Sequence, residues 1–138
     1  MAIVDFIAIP TLGILSIRGY WEEALRTNTR ALDAARQLND QTAVARFAHN
    51  TAMMYQQRGE LTEAKRLYEE SLTIAKQLGD QEGMASTLHA LGILAEKEGN
   101  KIQAVQSLQS ALEIYEKLHH PNKESAQRAL AWVEGKGE

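Results

Sequence analysis

The sequence contains no cysteine, which excludes disulfide bonds, thiolate metal ligands and a cysteine nucleophile. Only two prolines, nine glycines and 6% aromatic residues occur among its 138 residues, and strand-favouring residues nowhere alternate with polar ones over a useful stretch. These scarcities argue against an all-β or α/β fold. The net charge of −3 leaves no basic excess of the kind that nucleic-acid binding requires.

The abundant residues are those that favour helices, since Ala, Leu, Glu, Lys and Arg fill 65 of the 138 positions. The length suits a single domain spanning residues 1–138. Residues 1–17 are largely apolar, but they lack the basic start of a signal peptide and are interrupted by Pro10. They are also shorter than the roughly 20 residues of a membrane-spanning helix. We therefore expect an all-α protein of the cytoplasm.

An internal repeat of 40 residues organises the chain. It is marked by Gly19, Gly59 and Gly99, by Ala24, Ala64 and Ala104, by Asp40 and Asp80, and by His49 and His89. Residues 19–40 and 59–80 share 9 identities in 22 positions. The period predicts an irregular first unit at about 5–40, units at about 41–80 and 81–120, and a terminal helix at about 122–134.

Each unit is predicted to contain two helices. In the second unit, apolar or small residues from Val44 to Tyr55 follow the spacing of one helix face, and Gly59 supplies a left-handed residue to end that helix. Asp40 and Asp80 can cap the helices that follow them. The predicted helices are near 6–18, 20–38, 41–58, 60–78, 81–98, 100–118 and 122–134. Short turns make neighbouring helices antiparallel, so the units should stack into an α-solenoid of about seven helices.

Small residues recur where paired helices should approach closely. Ala24, Ala64 and Ala104 lie one turn into the second helix of their units, and Gly92 and Ala52 occupy matching positions in the first helices. A larger side chain at these places would hold the helices apart. The pattern therefore predicts tight packing within each pair.

The third unit resembles the tetratricopeptide repeat (TPR) family in the run 88–94, which reads LHALGIL, followed by Gly99, Ala104, Leu108 and Ala111. That family usually repeats every 34 or so residues, and the period of 40 with LGD at 78–80 is similar to the longer subtype of kinesin light chains. HEAT repeats are the alternative fold. The resemblance implies a right-handed superhelix that binds a protein or peptide on its concave surface.

The run from Ile17 to Ala24 further resembles the start of C-terminal repeat arrays in bacterial signalling NTPases and transcriptional regulators. This resemblance implies an alternative function, in which the chain is a sensor segment that regulates its own parent protein. The sequence given has no phosphate-binding loop, because Gly135-Lys136-Gly137 lacks the spacing and the flanking elements of one.

The predicted binding surface is the stripe of each first helix that lies opposite its packing face. It comprises Arg46, His49, Met53, Gln56 and Gln57 in the second unit, and Ser86, His89, Ile93, Glu96 and Lys97 in the third. Met53 and Ile93 form an apolar centre within a polar stripe, although they could instead pack against each other. The mixed charge argues against RNA binding. Asn50 and Lys97 do not form the carboxylate clamp found in some family members.

No catalytic, cofactor or metal site is expected. No serine is spaced with a histidine and an acid in a recognisable way, so the chain is not expected to be an enzyme. His119 and His120 are adjacent but have no apparent third ligand, and we expect them in a solvated loop. His49 and His89 should share a surface without sharing a metal.

Both ends carry more apolar residues than one neighbouring helix can cover. Near the start they are Ile3, Val4, Phe6, Ile7 and Ile9, and near the end they are Leu130, Trp132 and Val133. We expect a homodimer formed through a terminal helix, with Phe6 and Ile7 at the favoured end and Trp132 at the other.

Overall fold

The computed structural model describes residues 10–135, with side chains described from Arg18 onward. Within that range the chain forms helices and no strand. The helices are α1 (Pro10–Gln37), α2 (Gln41–Gln57), α3 (Leu61–Leu78), α4 (Gln81–Lys97), α5 (Lys101–Lys117) and α6 (Lys123–Val133). The prediction of an all-α solenoid is confirmed.

Caps define the helix boundaries of the second and third units. The side chains of Asp40, Asp80 and Asn100 accept hydrogen bonds from the backbone N–H three residues later, at 3.1, 2.9 and 3.1 Å. Gly59 and Gly99 follow α2 and α4 with φ angles of 83° and 79°, a left-handed conformation that suits glycine at a helix end. The three-residue turns that result place α2 against α3 and α4 against α5.

The core is built from small residues that let the paired helices approach closely. Ala52, Ala64 and Ala104 are completely buried. A Cβ at Gly92 would lie 2.6 Å from Cγ of Leu108, which means that α4 and α5 meet at this glycine. The predicted close packing of these small positions is therefore present in both complete units, whereas Ala24 in the first unit is only partly buried.

The first unit differs from the sequence prediction. Helices were expected at 6–18 and 20–38, but α1 is continuous from Pro10 to Gln37 and passes through Gly19. This is why the described residues form six helices rather than about seven. A glycine permits a left-handed turn but does not impose one, and nothing lies within 4 Å of a Cβ built at Gly19. Phe6 and Ile7 lie outside the described residues.

The last helix takes the place of a further first helix. Helix α6 packs on α5 and also touches α4, so it stands where the opening helix of a fourth unit would stand. The first helices α2, α4 and α6 consequently lie side by side, and the second helices α3 and α5 lie behind them.

Candidate interaction groove

A groove runs between α2 and α4, with α3 and α5 contributing to its floor. Its larger part is a cleft of about 400 Å³, which we call the main cleft. A second cavity of about 270 Å³ adjoins it, because His49 and Ser86 line both. The two first helices of successive units therefore enclose one continuous surface.

Eight of the ten residues predicted for the binding stripe line the main cleft. They are His49, Met53, Gln56, Gln57, Ser86, His89, Ile93 and Lys97. Arg46 lines the adjoining cavity instead, near Asp80, and Glu96 lines neither. Whether these residues bind a partner stays a prediction, but eight of them share one surface.

Four residues that line the main cleft were not expected from the sequence. They are Tyr68 on α3, Ala90 on α4, Tyr115 on α5 and Asn122 just before α6. The two tyrosines fall on helix stripes that the periodicity assigns to the core, and both rings are indeed buried. The signal that could have found them is chemical, since a buried tyrosine has a polar tip that needs a partner.

His49 connects the two first helices. Its Nδ1 lies 3.1 Å from the hydroxyl oxygen of Thr87 on α4. Its ring meets the ring of Tyr68 edge to face, with centroids 5.3 Å apart and an interplanar angle of 71°. Burial lowers the pKa of His49 below its ordinary 6.5, so the imidazole is neutral at neutral pH.

The hydroxyl of Tyr68 has a hydrogen-bond partner in the protein. Its hydroxyl donates a hydrogen bond of 2.9 Å to Oε1 of Gln56 on α2. Burial raises the pKa of Tyr68 to about 12, so this hydroxyl remains protonated and able to donate. The Tyr68 hydroxyl is thus paired within the protein.

Tyr115 repeats the histidine–tyrosine pairing in the next unit, but its hydroxyl is placed differently from that of Tyr68. Its ring meets that of His89 edge to face, with centroids 6.3 Å apart. Among the described residues no group completes a hydrogen bond to the buried hydroxyl of Tyr115. Burial raises the pKa of Tyr115, against a smaller opposing effect of the nearby Asn122 side chain. Burial also lowers the pKa of His89.

His120 is not in a solvated loop, which corrects the sequence prediction for this residue. Its ring stacks on Tyr115 with centroids 4.9 Å apart, and its side chain is 18% exposed. Its Nδ1 accepts a hydrogen bond from the backbone N–H of Asn122, and its Nε2 lies 3.2 Å from Oε1 of Glu82. His119 is exposed, as expected. The aromatic stack on Tyr115 holds His120 against the fold.

The centre of the main cleft is apolar and its edges are polar. Met53 is 45% exposed and Ile93 is half-buried, and both line the cleft. Gln57 and Lys97 stand one turn beyond them. An apolar centre with polar edges is typical of recognition surfaces. Here two successive units contribute equivalent residues to it.

The family model for the tetratricopeptide repeat matches residues 13–77 and again residues 43–117. The chain belongs to the tetratricopeptide repeat family. Repeats of this family are generally protein-interaction scaffolds. No curated protein is significantly similar to this chain in sequence.

Solved structures similar to this TPR array share its fold. BtubC (BKLC) from P. vanneervenii is 21% identical with a TM-score of 0.77, over 86% of this chain and 52% of that one. Nearly identical TPR-like repeats assigned to a kinesin light chain of Podosopora anserina are 22% identical with a TM-score of 0.74, over 86% and 61%. At this identity the likeness concerns the fold. The present chain spans about half to three fifths of the length of these proteins.

Within residues 10–135, no three histidine, aspartate or glutamate residues are grouped so that they could hold a metal ion. No helix of that part of the TPR array is long and apolar enough to cross a membrane. The side chains that line the main cleft offer hydrogen bonds, apolar contacts and the positive charge of Lys97.

Proposed function

We propose that this TPR array is a scaffold that binds a peptide or protein segment in the groove between α2 and α4. The observation that carries the proposal is the shared cleft, in which Met53 and Ile93 present an apolar centre surrounded by polar side chains. Interfaces commonly derive most of their affinity from a few apolar anchors enclosed by a polar rim.

The charges of the groove suit a partner segment of mixed character. Lys97 lines the main cleft, whereas Arg46 and Asp80 line the adjoining cavity. Two cations and one anion along the groove do not make the basic surface that nucleic-acid binding requires. We therefore expect an apolar anchor residue of the partner at Met53 and Ile93, with polar residues on either side of it.

A selected peptide provides the test. Peptides selected from a display library on the wild-type protein are measured against the double variant Met53→Asp and Ile93→Asp. We expect about a tenfold or greater loss of affinity, because charged side chains would replace the apolar centre. Helical content should stay unchanged, since Met53 is already substantially exposed.

A matched control separates the groove from the rest of the surface. Ile102, on α5, is apolar and 74% exposed but does not line the groove. The variant Ile102→Asp should bind the selected peptides with wild-type affinity. Equal affinities for the groove variant and the control would contradict the proposal.

A further inference from the structure

A second opening lies between α1 and α2, which we call the N-terminal slot. It has a volume of about 190 Å³ and is lined by Trp21, Asn28, Asn50, Met53, Met54 and Gln57. Four of these residues have counterparts 40 positions later that all line the main cleft. The counterparts of Asn28, Asn50, Met53 and Gln57 are Tyr68, Ala90, Ile93 and Lys97. The N-terminal slot is therefore the same structural position one unit earlier.

The two positions differ in the helix that covers them. In the later unit, α2 runs along the site and contributes Met53, Gln56 and Gln57 as one wall. In the earlier unit that wall would come from the residues before Gly19. Because α1 continues straight through Gly19, the backbone of Pro10–Arg18 extends α1 instead of turning back over the slot.

Among the described residues no helix covers the slot, and apolar residues there are in contact with solvent. Met54 is only partly buried, whereas its counterpart Leu94 is 1% exposed. Trp21 is 41% exposed, and Tyr20 beside it is 71% exposed. An exposed cluster of this kind marks an interaction site.

The residues before Gly19 carry the sequence pattern of a first helix. Of the four residues that α2 buries, Val44, Ala48 and Thr51 recur unchanged forty positions earlier as Val4, Ala8 and Thr11, whereas Ala52 is replaced by Leu12. This N-terminal segment therefore matches three of the four buried positions of the helix that covers the next unit.

We propose that the N-terminal slot is filled by the N-terminal segment of a second copy of this chain, in a symmetric dimer. The α1 helices of the two copies lie antiparallel, with the two-fold axis near Gly19, so that each copy covers the slot of the other. Exchange of an identical element gives a self-complementary interface of this type. The exposed side chains of Tyr20 and Trp21 then meet near the axis.

This dimer goes beyond the proposed function, and the two sites share Met53 and Gln57, which line both the N-terminal slot and the main cleft. Trp21 lines only the slot and Ile93 lines only the main cleft, so Trp21→Glu tests the dimer and Ile93→Asp tests the groove. Loss of the dimer should leave the affinity for selected peptides measurable in a monomer, so the two proposals fail separately.

Cross-linking between chains tests the exchange. Gln57 and Lys97 line the same cleft, so by the 40-residue offset Ile17 of one copy should lie near Gln57 of the other. Because the chain has no cysteine, Ile17→Cys and Gln57→Cys proteins can be mixed and treated with a short bismaleimide. We expect a covalent heterodimer. A mixture of Ile17→Cys with Gln109→Cys, on the exposed surface of α5, should give none.

The mass in solution is the second measurement. Light scattering after size exclusion should give twice the chain mass for the wild type. Trp21→Glu should weaken the dimer about tenfold or more, because a charge would be buried in the slot. Trp132→Glu, which is 64% exposed at the opposite end, should leave the dimer unchanged. A wild-type monomer across a wide concentration range, or no covalent heterodimer from the mixture of Ile17→Cys and Gln57→Cys proteins, would overturn the proposal.

Discussion

The imidazole Nδ1 of His49 and the hydroxyl of Thr87 lie 3.1 Å apart, and this hydrogen bond joins the first helices of two successive repeats. Thr87 is 1% exposed, so the contact forms beneath the groove rather than at its rim. The groove is consequently built over a buried contact between its two first helices.

Protonation of the buried histidines should lower stability. Burial lowers the pKa values of both His49 and His89 below 6.5, so the unfolded chain binds more protons than the folded chain as the pH falls through that value. The free energy of unfolding should therefore be highest above pH 6.5 and should decrease towards about pH 5.5, before most carboxylates titrate. Thermal melts across this range measure the effect.

The double variant His49→Asn and His89→Asn is the control for that pH dependence. Its melting temperature should change less between these two pH values than that of the wild type. Identical slopes in the two proteins would show that other groups cause the change.

Gly92→Ala should destabilise the fold by about 1–2 kcal/mol. The new Cβ would lie 2.6 Å from Cγ of Leu108 and 3.3 Å from the carbonyl oxygen of Ala104, so α4 and α5 would have to separate. Overpacking of this kind costs about 1–3 kcal/mol, and the better helix propensity of alanine offsets up to about 1 kcal/mol. Gly19→Ala is the matched comparison, because it meets no neighbouring atom and should be neutral or stabilising. Equal destabilisation by both changes would refute the account of the helix contact.

The two buried tyrosines should respond differently to loss of the hydroxyl. Tyr68→Phe removes the hydrogen bond to Gln56 and should cost about 0.5–1.5 kcal/mol. Tyr115→Phe removes a buried hydroxyl that has no partner among the described residues, and should be neutral or stabilising. Chemical denaturation of both variants measures the difference. A larger loss at Tyr115 than at Tyr68 would be inconsistent with this structure.

The sequence predicted most of the fold because the residues that begin and end helices recur every 40 positions. The helices predicted at 41–58 and 81–98 appear as Gln41–Gln57 and Gln81–Lys97. Capping residues and left-handed glycines at fixed positions define such boundaries locally. The prediction for the first unit was wrong at Gly19, where α1 continues, because a glycine permits a left-handed turn without imposing one.

The sequence predicted only those groove residues that lie on the first helices, α2 and α4. Residues such as Met53 and Ile93 follow from the helical period along α2 and α4. Tyr68 and Tyr115 reach the groove from the second helices, and the period alone assigns them to the core. Their contribution depends on how deeply the helices interdigitate, which a one-dimensional pattern does not contain.

The location of a bound peptide tests the central claim most directly. A selected peptide carrying a benzophenone amino acid at its apolar anchor position is irradiated in complex with the protein, and the attachment sites are mapped by mass spectrometry. The account predicts attachment to α2 and α4 at or beside Met53 and Ile93. Attachment confined to the outer faces of α3 and α5, such as the surface around Ile102, would contradict it.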